Sequence, residues 1–277
     1  MRSSSFILIA WMVLASTSFM AGQTGPPAIT KGVGLDQKLN FPVPLDLVFR
    51  DEANRAVPLR TYFGEKPVVL ALVYYQCPNL CSLTLNEMVH ALRRVAFEPG
   101  RDYNVVITSI DPAEKPELAA QTKSAYAKEF GRASFNSGWH FLTGTQDAIS
   151  SLASAVGFRY RWDEPTRQFV HAGGIMVATP DGKLSRYLYG VRYAPADVRL
   201  ALVDASQHKI GSPVDAFLLF CFHYDAAQGK YTLAILSVLR IAAGITLVGL
   251  VALILVLMRR EKRQTTPADW HEVHHVR

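Results

Sequence analysis

Pro67 is followed by Val68-Val-Leu-Ala-Leu-Val-Tyr-Tyr75, eight apolar residues in a row, and no other feature constrains the fold as much. An unbroken β-branched and aromatic run of this length predicts a strand buried on both faces, which needs a layer above it and another below. The period then changes. Leu80, Leu83, Leu85, Met88, Val89 and Leu92 recur at helical spacing through about Ala96. Pro78 suits the first turn of that helix, where its missing N–H costs nothing.

The flanking sequence repeats the alternation. Leu45–Phe49 and Ala56–Leu59 enclose the polar turn Asp51-Glu-Ala-Asn54 and predict a hairpin. Tyr103–Ile110 reads as a strand ended by Asp111-Pro112, and Pro116–Phe130 as a helix. His140–Leu142 is a short strand and Thr145–Val156 a helix. Phe169-Val170-His171 leads through Gly173-Gly174 into the strand Ile175–Thr179. Pro180–Lys183 is a turn, Leu184–Leu188 the return strand, and Pro195–Ser206 a closing helix. This order predicts one α/β domain with a mixed central sheet flanked by helices.

The ends carry a different message. Met1-Arg2 and the apolar run Phe6–Ala15 predict a signal peptide or an N-terminal anchor over residues 1–22. Residues 23–44 form a Gly- and Pro-rich lead-in to the domain at 45–208, and 209–232 a juxtamembrane segment. Ile241–Met258 holds no charge, Asn, Gln or His. With Leu233–Leu239 it predicts a transmembrane helix over 233–258. Arg259-Arg-Glu-Lys-Arg263 marks 259–277 as a cytoplasmic tail, which puts the domain on the periplasmic side of the inner membrane.

Composition agrees with a membrane-tethered chain: 19% of residues are charged, against about 25% in soluble domains. Of the net charge of +6, Arg2 supplies one and residues 231–277 supply three, leaving +2 for the middle. So neutral a domain has no footprint for a phosphate backbone, and no nucleic-acid partner is expected.

Cys77-Pro-Asn-Leu-Cys81 follows the strongest strand directly. If both cysteines are helical, the i, i+4 spacing sets their sulfurs on one face. At a helix N-terminus the unpaired N–H groups and the macrodipole favour thiolates. An exported pair can also form a disulfide, so it can alternate between bridge and dithiolate. A structural bridge would close only a tiny loop and stabilise little. Two thiolates are soft donors, which favours Cu(I) with Zn(II) as competitor. His171, just ahead of two glycines that permit close backbone approach, is the first candidate for a third ligand.

Val73–Cys81, Thr108–Pro112 and Val170-His171 together resemble the Sco (SenC-type) copper-protein family, and the match covers roughly Leu45 to Ser206. The resemblance implies a thioredoxin-like fold. It also implies copper, Cu(I) or Cu(II), held by Cys77, Cys81 and His171, and assembly of the dinuclear copper site of cytochrome c oxidase subunit II. Another periplasmic copper chaperone or a thiol reductase would be a further partner. Ser82 stands where many members of that family carry proline, and their anchor is usually N-terminal.

Asp111 lies at a strand end as a possible accessory to the site. The residues alone favour a helix cap, with Asp111 as N-cap, Pro112 at N1 and Glu114 at N3. Cys221 and His223, two apart near the membrane, are further accessory candidates. His271-Glu-Val-His-His275 matches the zinc-protease pattern but sits in the last seven residues without a scaffold, and is set aside.

Two functions in different classes use the same pair. One is a copper-binding assembly factor. The other is a thiol–disulfide oxidoreductase that keeps oxidase cysteines reduced. A peroxiredoxin-like peroxidase is disfavoured, because Tyr74 stands where such an enzyme carries Thr or Ser.

Overall fold

Every residue of Val68–Val73 is buried in a strand, as its unbroken apolar sequence requires. The structure, a computed structural model, describes residues 32–76, 80–211, 224–225, 230–231 and 233–264. The chain divides into two units. In chain order the first carries β1 Gly34–Leu35, β2 Val48–Arg50, β3 Ala56–Pro58, β4 Val68–Val73, α1 Leu80–Arg93, β5 Asn104–Ser109, α2 Pro116–Phe130, the short α3 Phe135–Gly138, β6 Trp139–Leu142, α4 Gln146–Ala155, β7 Phe158–Asp163, β8 Gln168–His171, β9 Gly174–Ala178, β10 Leu184–Tyr189 and α5 Pro195–Ser206.

The central sheet has the order β10-β9-β4-β5-β6. β4, β5 and β6 run parallel, while β9 is antiparallel to β4 and to β10. This is the mixed α/β sheet expected from the sequence. The two parallel crossovers run in one direction across the sheet, so α1 and α2 share a face. There α1 packs on both α2 and α5, α2 lies on β6, and α5 lies on β9 and β10. The core between them holds Leu85, Met88, Leu92, Ile107, Phe141 and Leu202, each at most 2% exposed.

The expected hairpin forms, with Phe49 opposite Val57. The helices 116–130 and 195–206 have the bounds their sequence predicts. Thr145 caps α4 by accepting from the Ala148 N–H.

A second sheet, β1-β7-β8, was not predicted. Its β7 alternates Phe158, Tyr160 and Trp162 with Arg159 and Arg161, a period of two that fits a strand. Part of the lead-in is also ordered, since Gly34 and Leu35 pair with Arg159 and Phe158. Only Ala172 and Gly173 separate β8 from β9, so the chain passes from one sheet to the other beside His171.

The predicted cap at Asp111 does not form. α2 begins at Pro116, and its N-cap Lys115 is extended at φ −108°, ψ 157°. A residue before proline is pushed out of the helical region, so no helix can run from Pro112 through Lys115. Asp111 instead closes a local turn, its Oδ1 accepting from the Ala113 N–H at 2.8 Å.

In the second unit, β11 Tyr224–Asp225 pairs antiparallel with β12 Lys230–Tyr231, and α6 spans Leu233–Gln264. Among the described residues no helix is long and apolar enough to cross a membrane. Within α6, side chains are described for 243–257 and for Arg259 and Arg260. The expected span 233–258 therefore lies partly outside the described residues, as does the whole of 1–22.

Candidate metal centre

The three stretches that carry the cysteine chemistry meet at one end of the central sheet. β4 and β5 are parallel and in register, with Val73 beside Ser109, and the Ile110 N–H donates to the Val73 carbonyl at 2.7 Å. Both strands thus deliver their C-terminal ends to the same edge, where ligands gather in α/β sheets. β9 arrives from the other side, pairing Val68 with Ala178 and Leu70 with Met176. Continued in the same step, that register brings the β8–β9 junction level with Tyr74.

His171 sits at this junction, 7% exposed. Its ring meets the Tyr74 ring edge-on, with centroids 6.1 Å apart, and leans on Phe158 at 5.7 Å. Nδ1 lies 2.9 Å from the Ala172 carbonyl. A carbonyl only accepts, so in the neutral ring Nδ1 carries the proton and Nε2 the lone pair, the arrangement typical of ligating histidines.

The glycines after His171 serve the close approach expected of them. A Cβ on Gly173 would lie 2.9 Å from the Val191 side chain and 3.2 Å from the Gly190 carbonyl. The Gly190 N–H in turn donates to the Gly173 carbonyl.

Cys77, Pro78 and Asn79 lie outside the described residues. The described part of α1 begins at Leu80, which puts the backbone of Cys81 in its first turn. Among the described residues no three His, Cys, Asp or Glu side chains form a metal-binding group, and both thiols are outside that set. Cys221 and His223 also lie outside the described residues. Asp111 is present on the loop after β5, at the same edge as Ser109.

Sequence reasoning missed Glu114. The residue is 6% exposed, and its carboxylate accepts from the N–H groups of Tyr75 at 2.9 Å and Gln76 at 2.8 Å, and from the Ser109 hydroxyl at 2.6 Å. Burial pushes this carboxyl above its ordinary value, against the opposing pull of the three donors. The available signal was Pro116: by excluding a helix over 112–115 it frees Glu114 from any capping role. Tyr75 is held at its other end too, its hydroxyl donating to the Leu142 carbonyl at 2.8 Å with the Ile107 carbonyl 3.1 Å away as a second, shared acceptor.

A family model described as SCO1/SenC matches residues 47–202. A candidate copper-binding protein of Stutzerimonas stutzeri is 24% identical over 123 residues, 43% of this chain and 56% of the relative, so the chain spans just over half of that protein. The SCO1 protein homolog of Bacillus subtilis (strain 168) is 24% identical over 170 residues, 60% of this chain and 83% of the relative. A candidate electron transfer protein of Aquifex aeolicus VF5, known from its crystal structure, superposes with a TM-score of 0.54 at 25% identity, covering 61% of this chain and 95% of the other.

Proposed function

The chain belongs to the SCO1/SenC family, and on that premise we propose that it is a copper-binding assembly factor serving cytochrome c oxidase. Copper is the cargo, Cys77, Cys81 and His171 are its ligands, and the recipient is the dinuclear copper site of subunit II. Two thiolates and an imidazole form a soft donor set, suited to Cu(I). The same two sulfurs, joined as a disulfide, can no longer ligate, so oxidation of the pair opposes copper loading. The observation that carries this reading is the position of His171. Its ring packs on Tyr74, three residues before Cys77, with Nδ1 bound and the lone pair on Nε2. The Stutzerimonas stutzeri relative, named for copper binding, supports the choice of metal.

The test is a titration of the reduced full chain with Cu(I) against a chromogenic chelator. One equivalent is expected to bind, and binding is expected to vanish in Cys77→Ser and in Cys81→Ser. A wild-type chain that cannot compete with the chelator overturns the proposal.

The proposal includes a membrane tether over 233–258, with domain 45–208 outside the cytoplasm and tail 259–277 within it. The uncharged run 241–258 followed by Arg259-Arg260 supports it. So do the side chains of Ile245 and Val248, 70% and 69% exposed, in a stretch, 243–257, that carries no charged residue and whose side chains are all exposed. The full chain is expected to stay with membranes through alkaline extraction, and its release would overturn the tether.

A further inference from the structure

We propose that Glu114 is a positioning residue for the cysteine loop, a single buried carboxylate that fixes the two residues ahead of Cys77 and thereby the placing of the first sulfur. The inference rests on the copper-binding reading of the same site and gives its geometry a cause.

β4 and β5 pair as far as Val73 and Ser109, and the Ile110 N–H takes the Val73 carbonyl. The described pairing of β4 with β5 ends there, and the N–H groups of Tyr75 and Gln76 find their acceptor elsewhere. Glu114 supplies it for both: Oε2 takes Tyr75 N–H and Oε1 takes Gln76 N–H. Ser109, from the neighbouring strand, donates its hydroxyl to Oε2 and ties the clamp to β5. With the Tyr75 phenol bound to the carbonyls of Ile107 and Leu142, the segment is pinned by its backbone and by its side chain up to the residue before Cys77.

A carboxylate is an expensive group to bury, and a neutral side chain would fill the same space at lower cost. An ionised carboxyl is acceptor-only and can receive all three donors at once. The amide of glutamine keeps one acceptor oxygen and turns an NH2 group toward the other N–H. Glu114→Gln therefore preserves shape and releases one side of the clamp.

Three measurements on the full chain test this, two of them without copper. Hydrogen exchange at the Tyr75 and Gln76 amides is expected to quicken about tenfold in Glu114→Gln with the rest of β4 unchanged, as follows from losing one charged-acceptor bond. The pH midpoint of iodoacetamide alkylation of the cysteines is expected to move. Cu(I) affinity is expected to fall about 10–100-fold, the usual effect of losing a group that orients metal ligands. A purely structural Glu114 would lower the thermal midpoint and leave the alkylation profile in place. That outcome, or unchanged exchange at the two amides, overturns the proposal. If Glu114→Gln does not fold, Ser109→Ala removes one donor from the same carboxylate and is expected to shift all three readouts the same way by less. Failure of the wild-type chain to bind Cu(I) would remove the copper reading alone, because the exchange and alkylation measurements still report on the clamp.

Discussion

The ring of Tyr74 stands edge-on to the imidazole of His171, centroids 6.1 Å apart at an interplanar angle of 79°. Edge-to-face contact at this separation is directional, so it aims the imidazole as well as covering it. Tyr74→Leu keeps an apolar side chain but removes the ring edge. Cu(I) affinity is expected to fall several-fold by chelator competition. Stability should drop by about 1–2 kcal/mol in urea unfolding, the usual range for a misfitting core replacement. Unchanged affinity would show that Phe158 and the Ala172 carbonyl aim the ring unaided.

Gly173 sets the path of the chain out of His171. An added methyl would press on the Val191 side chain at 2.9 Å and the Gly190 carbonyl at 3.2 Å. The side chain can rotate away, but the carbonyl belongs to the junction of two strands. Gly173→Ala is therefore expected to destabilise by about 1–3 kcal/mol and to weaken copper binding by displacing His171. Thermal unfolding and Cu(I) competition check the two effects separately.

His140 gives the domain an acid sensitivity away from the cysteines. Its ring packs on Tyr62 at 4.3 Å. Burial, with Lys123 nearby, pushes its pKa down to about 4 from 6.5, against Glu52 and Asp51. The folded state thus resists the proton that the unfolded chain takes up below pH 6.5. Stability contributed by the neutral ring is present above that pH and is lost as pH falls toward 4. At about 1.36 kcal/mol per unit the loss is at most about 3 kcal/mol. His140→Phe keeps the ring contact without the titration. The urea midpoint of that variant is expected to change less between pH 7 and pH 4.5 than that of the wild type.

The sequence disclosed whatever rests on one element and concealed whatever rests on pairing. Val68–Val73 was legible because burial on both faces forces an unbroken apolar run. Gly173 was legible because close approach demands a glycine. β7 was not, since its aromatics share their strand with arginines and find partners only when β8 folds beside them, Tyr160 opposite His171. Glu114 was hidden for a related reason. The N–H groups it accepts from lie 38 and 39 residues away along the chain, and Pro116 says only that Glu114 does not cap a helix, not what it holds instead. His171 lies between these cases, visible as a residue type near glycines but joined to Tyr74 only by the register of β9 on β4.

Replacing His171 separates copper binding from thiol chemistry. The ring is on β8, whereas the cysteines follow β4 in sequence and the backbone of Cys81 lies in α1, so its removal leaves the local sequence of the sulfur pair intact. A two-coordinate dithiolate still holds Cu(I), but without the imidazole the ion loses one donor of three. His171→Ala is expected to bind Cu(I) at least about 100-fold more weakly, a loss of about 3 kcal/mol. Thiol–disulfide exchange needs an attacking thiolate and a leaving sulfur, and no imidazole. The rate of exchange with oxidised glutathione is therefore expected to stay within a few-fold of wild type. Equal copper affinity in the two proteins would remove His171 from the ligand set. Collapse of exchange together with copper binding would instead make the imidazole part of the sulfur chemistry.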